Sequence, residues 1–129
     1  MKLGWQPRKW LGKKAKAGFR GYPIGTVAFY GPDNRRATKA AVSVIRGPES
    51  EPAELRRWFA ETGDIRKDET VLREIASFLR DHEVHSVAMK EAIFGCPHEE
   101  SIDYPLGETC PRCPYWAGRN RSTGQLDAS

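Results

Sequence analysis

The chain has 129 residues, 39% of them apolar, with four Trp, five Phe and four Tyr, which argues against disorder throughout. That length suits one small domain near the size at which a metal staple matters, and no apolar run approaches the ~18 residues of a membrane span. The net charge of +4 hides an asymmetry: residues 1–46 carry eleven Lys and Arg against Asp33 alone, while the remainder carries ten basic and sixteen acidic residues.

Residues 1–22 read as a basic arm, in which Trp5, Trp10, Phe19 and Tyr22 are spaced without period among lysines. Gly4, Gly12, Gly18 and Gly21 disfavour a stable helix there, with room for a short one around Trp10–Ala17. Ile24–Tyr30 is rich in β-branched and aromatic residues, Gly31-Pro32-Asp33-Asn34 is turn chemistry, and Thr38–Arg46 alternates. Residues 24–46 are therefore expected to form a β-hairpin. Pro52, with Ser50 or Glu51 as cap, opens a predicted helix in which Leu55, Trp58 and Phe59 fall at i, i+3 and i+4 and Gly63 is the stop.

Asp68 caps a second predicted helix to about Glu83, with Val71, Leu72, Ile75, Phe78 and Leu79 in one apolar stripe. Val84–Phe94 reads as a third strand leading directly to Gly95-Cys96. The expected fold is α+β: a small antiparallel sheet, hairpin plus third strand, with two helices on one face. By segment, 1–22 is a mobile basic arm, 23–94 the α+β body, 95–118 a zinc-binding loop and 119–129 a polar C-terminal tail.

All three cysteines lie within eighteen residues, as Cys96-Pro97-His98, eleven further residues, then Cys110-Pro111-Arg112-Cys113. Three thiolates and one imidazole make the donor set of a closed tetrahedral zinc site. The C-x-x-C turn lets two sulfurs converge, and Pro97, Pro111 and Pro114 stiffen the turns. Four protein ligands leave no open position, which favours a structural ion. An odd cysteine count does not suit a disulfide framework. The first twenty residues hold seven basic groups and no apolar core of signal-peptide length, so the expected compartment is the cytoplasm.

His98-Glu99-Glu100 followed by Cys110-x-x-Cys113 echoes the zinc-deaminase signature. Only nine residues, with Pro105 and Gly107 among them, separate its halves, and Cys96 would have no role. Neither His82 nor His85 has a nearby Cys or Ser arranged with it as a nucleophile pair, and no phosphate-loop or nucleophile-elbow string is present.

The strings Gly95-Cys96-Pro97-His98-Glu99-Glu100, Ile102-Asp103-Tyr104-Pro105 and Cys110-Pro111-x-Cys113-Pro114-Tyr115-Trp116 resemble a group of small bacterial proteins without an assigned activity. Tyr22-Pro23-Ile24-Gly25-Thr26 and Tyr30-Gly31-Pro32-Asp33 are similar to the same group, over about residues 22–121. The resemblance implies a bacterial, zinc-binding domain and no particular reaction.

Three functions compete. The first is a non-enzymatic zinc protein that contacts nucleic acid, with Lys9, Trp10, Lys13, Lys14, Lys16 and Arg20 on the arm and Arg112, Arg119 and Arg121 beside the metal. The second is a protein-interaction module with structural zinc, whose acidic loop and body or basic arm bind a partner of opposite charge. The third is a zinc-dependent hydrolase using Glu99 or Glu100 as general base.

Overall fold

The computed structural model describes residues 6–99, 102–105, 108 and 110–116. In chain order these form α1 (Pro7–Ala17), β1 (Ile24–Tyr30), β2 (Lys39–Ile45), β3 (Glu54–Phe59), a 3-10 turn at Ile65–Lys67, α2 (Glu69–Asp81), β4 (Ser86–Ile93) and a 3-10 turn at Pro114–Trp116. The strands make one sheet in the order β3-β2-β1-β4. The class is α+β, as the sequence predicts.

The predicted hairpin is present: β1 and β2 run antiparallel, and Thr38 N–H donates to the Tyr30 carbonyl at its mouth. β3 adds antiparallel to β2, through Ala53 N–H to the Val44 carbonyl and Ala60 N–H to the Thr38 carbonyl. β4 runs parallel to β1, pairing Ser86 with Pro23 at its start and Phe94 with Phe29 beyond its end. The sheet is thus four-stranded and mixed, where the sequence reading expected three antiparallel strands. The cause is the crossover through α2, which returns the chain in the direction of β3 and β1.

The second correction is β3 itself, predicted as a helix. Its apolar residues do not share a face: Leu55 and Phe59 are exposed and only Trp58 is buried. In a strand, Glu54, Arg56 and Trp58 point one way. Trp58 Nε1 donates to Glu74 of α2 at 2.9 Å, and its ring meets Phe78 edge-on. Strand pairing with β2 outweighs a three-residue helical pattern.

The chain divides into two compact units, each holding part of every strand. The first comprises residues up to 27, 41–58 and 67–90. Here α2 is capped as predicted, with Asp68 Oδ1 accepting from the Thr70 and Val71 N–H groups. It buries Val71, Leu72, Ile75, Ala76 and Leu79. Leu79 lies so close to Gly25 of β1 that a Cβ there would collide with its methyl groups.

α1 lies within the segment expected as a basic arm, where the sequence leaves room for a short helix. It begins at Pro7, whose fixed φ suits a first helical turn, and ends at Gly18, which has φ +75°. It packs against α2, burying Leu11, and Arg8 donates two hydrogen bonds to Glu69. Gly12 falls inside it and Gly18 and Gly21 lie beyond its end, while Gly4 is outside the described residues. No helix among the described residues is long and apolar enough to cross a membrane.

The second unit comprises residues 28–40, 59–66 and 91 onward. Its framework is Phe29, Ala37, Ala40 and Ile65, all essentially inaccessible to solvent. Asp64 and Arg66 form a partly buried ion pair at 2.6 Å, and Arg66 also donates to the Arg35 and Glu91 carbonyls. This unit carries the cysteines.

Candidate metal centre

The chain leaves β4 still paired to β1. Phe94 N–H donates to the Phe29 carbonyl and Gly31 N–H to the Gly95 carbonyl, both at 2.8 Å, which fixes the backbone up to Cys96. The His98 N–H then donates to Cys96 Sγ at 3.2 Å, folding the imidazole back over the thiol. Glu99 and Asp103 close the next turn reciprocally, the Glu99 N–H bonding the Asp103 carboxylate and the Asp103 N–H the Glu99 carbonyl.

On the second half, the Cys113 N–H donates to the Cys110 carbonyl, making the tight C-P-R-C turn, and Pro114–Trp116 follows as a 3-10 turn. Trp116 is buried, and its Nε1 donates to the Gly31 carbonyl at 2.8 Å. Gly31 therefore serves both halves of the loop, with its N–H towards Gly95 and its carbonyl towards Trp116.

These contacts bring the four predicted donors together. His98 Nδ1 lies 3.2, 3.3 and 3.5 Å from the Sγ atoms of Cys96, Cys110 and Cys113. All four donor atoms fall within 4.8 Å of one another. Zinc with bonds of about 2.3 Å to sulfur and 2.0 Å to nitrogen places a tetrahedral nitrogen–sulfur pair about 3.5 Å apart, close to the three Nδ1–Sγ separations. The group could hold a metal ion, and all three thiols are free and buried. Burial pushes the Cys96 and Cys113 thiols up, Cys113 strongly, so without a cation both favour the protonated form.

One contributor was missed from sequence. Lys39, at the start of β2, is 4% exposed, and its Nζ donates to the Pro97 carbonyl at 3.0 Å and to Glu99 at 2.9 Å. The rings of Tyr30 and Phe59 flank the ammonium at 5.5 and 5.9 Å. It anchors the Pro97–Glu99 segment on either side of His98. The only sequence signal was a lysine in a strand otherwise rich in Ala and Val.

The residues predicted for nucleic acid fall in several places. Lys9, Trp10, Lys13, Lys14 and Lys16 lie on α1, with Arg20 just beyond it. Trp10, Lys13, Lys14 and Arg20 line one open groove with Ala17 and His85, whereas Lys9 and Lys16 are exposed outside it. Arg112 is exposed on the turn between Cys110 and Cys113. Arg119, Arg121 and Glu100 lie outside the described residues. No family model, no curated protein and no solved structure matches the chain.

Proposed function

We propose that this is a non-enzymatic cytoplasmic protein in which Cys96, His98, Cys110 and Cys113 hold a structural Zn2+ and the basic helix α1 contacts nucleic acid. The observation that carries the zinc assignment is the convergence of three sulfurs and one ring nitrogen within 4.8 Å of one another. Four protein donors leave no position for a water nucleophile, and Glu99 is held in an ion pair with Lys39, which disfavours the hydrolase reading.

For nucleic acid, the support is the charge of α1. Its sequence, PRKWLGKKAKA, contains five cationic residues and no acid, and only Arg8 is turned to a carboxylate among the described residues. Such a surface supplies phosphate contacts and a salt-dependent affinity.

Metal content and X-ray absorption on the purified protein test the first part. The expected result is one zinc per chain with three sulfur and one nitrogen neighbours, and with Cys113→Ser a loss of tight binding. An exchangeable oxygen in the coordination sphere of the parent protein would overturn the structural assignment. The second part predicts a steep fall in nucleic-acid affinity with added salt, and a shallower slope when Lys13, Lys14 and Lys16 are changed to Gln.

A further inference from the structure

An open groove beside α1, with a volume of about 690 Å³, is lined by Trp10, Lys13, Lys14, Ala17, Arg20 and His85. We propose that it seats one unpaired nucleotide of a single-stranded nucleic acid, the base against the Trp10 indole and the phosphates on Lys13, Lys14 and Arg20. The inference rests on the nucleic-acid reading and narrows it from a charged surface to a strand-selective site.

Four observations within the first unit support it. Among the described residues the lining contains three permanent cations, an imidazole and an indole, and no carboxylate. No carboxylate pairs with Lys13 or Arg20 among the described residues, although α1 does use an acid elsewhere, at Arg8 and Glu69. Lys14 Nζ stands 5.8 Å from the Trp10 ring centroid and 3.4 Å from the His85 carbonyl, so a cation is held beside the π surface. The volume is that of an ordinary small-molecule pocket, large enough for a base and its sugar phosphate.

The backbone that carries the lining is tied to the body at both ends. Leu11 roots α1 in the core, and Ser86 Oγ accepts from the Arg20 N–H at 2.6 Å while donating to the Gly21 carbonyl at 2.8 Å. That clasp holds the turn bearing Arg20 against the start of β4. A concave site with a stacking wall selects an unpaired base, because a duplex keeps its bases stacked on each other and offers only its phosphates. An acidic peptide would satisfy the lysines but bring no planar base to the indole.

Fluorescence anisotropy on the full zinc-loaded chain tests this, using oligothymidylate of about 12 nucleotides, a duplex of the same length, thymidine monophosphate and polyglutamate as probes. Oligothymidylate should bind more tightly than the duplex. Trp10→Ala should weaken the single strand by about 5- to 100-fold and the duplex less than about 2-fold, since stacking serves only the unpaired base. Trp10→Phe should restore most of the loss. Lys13→Gln, at an exposed position, should reduce the salt slope for either probe by about one.

Equal losses for strand and duplex in Trp10→Ala, with no rescue by Phe, would overturn the nucleotide seat and leave the phosphate contact standing. Displacement of the strand by an equal concentration of the mononucleotide, or Trp10-independent polyglutamate binding as tight as oligothymidylate, would also overturn it. Failure of the parent protein to bind either strand or duplex would remove the broader reading too.

Discussion

Lys39 is an ammonium almost wholly withdrawn from water, and it is tolerable only because each of its surroundings answers the charge. Glu99 and the Pro97 carbonyl accept hydrogen bonds from it, and two aromatic faces flank it. Met fills nearly the same volume without the charge, so Lys39→Met isolates the electrostatic part. The expected cost is about 1–3 kcal/mol, because Glu99 is partly exposed and water recovers part of its solvation. A double-mutant cycle with Glu99→Gln, followed by denaturant unfolding, should show the two changes to be non-additive. Additive losses would mean that the pair contributes nothing as a pair. Gly31 is constrained differently: a Cβ there would run into the Arg36 carbonyl, a backbone atom that cannot swing aside.

Among the elements, α1 shows how little local sequence decides when a helix is made by its neighbour. An 11-residue helix is marginal alone, and Gly12 weakens it further. Its stability must come from Leu11 packed against the core, because the exposed Arg8–Glu69 pair is worth less than about 1 kcal/mol. Leu11→Ala should therefore cost about 2–5 kcal/mol in denaturant unfolding, whereas a loose arm would give almost no change.

The same contrast explains what could be read from the chain. α2 was legible because Asp68 and an apolar stripe over three turns agree, and the hairpin because turn chemistry separates two β-rich runs. The donor cluster was legible because soft ligands crowd a short segment. β3 was not, since Leu55, Trp58 and Phe59 are too few to distinguish periods and its pairing with β2 is a tertiary fact. Nor was Lys39, whose partner Glu99 lies 60 residues away.

At the scale of the molecule, acid and alkali act on different groups. Hydrogen bonds from Arg66 hold the Asp64 carboxyl below the usual range, so its contribution is present above about pH 4 and fades as pH falls through the lowered value. The Cys96 and Cys113 thiols have the opposite sign: burial raises them, so the folded metal-free chain keeps protons that the unfolded chain gives up above about pH 8.5. That contribution is complete below pH 8.5 and is lost as pH climbs through the raised values. Thermal melts at pH 7 and 10 should accordingly show alkaline loss in chelator-treated protein and much less after zinc is restored, because bound thiolates have no proton left to release. Identical pH profiles with and without zinc would contradict the assignment of these thiols as ligands.

The double use of Gly31 has a practical corollary for anyone engineering the protein. Its amide steadies the approach to Cys96 and its carbonyl receives the indole that follows Cys113, so the bend just after it is a poor place to splice in a tag or lengthen the chain. The segment from Pro48 to Ala53, with its side chains in solvent, is a better place for a foreign sequence.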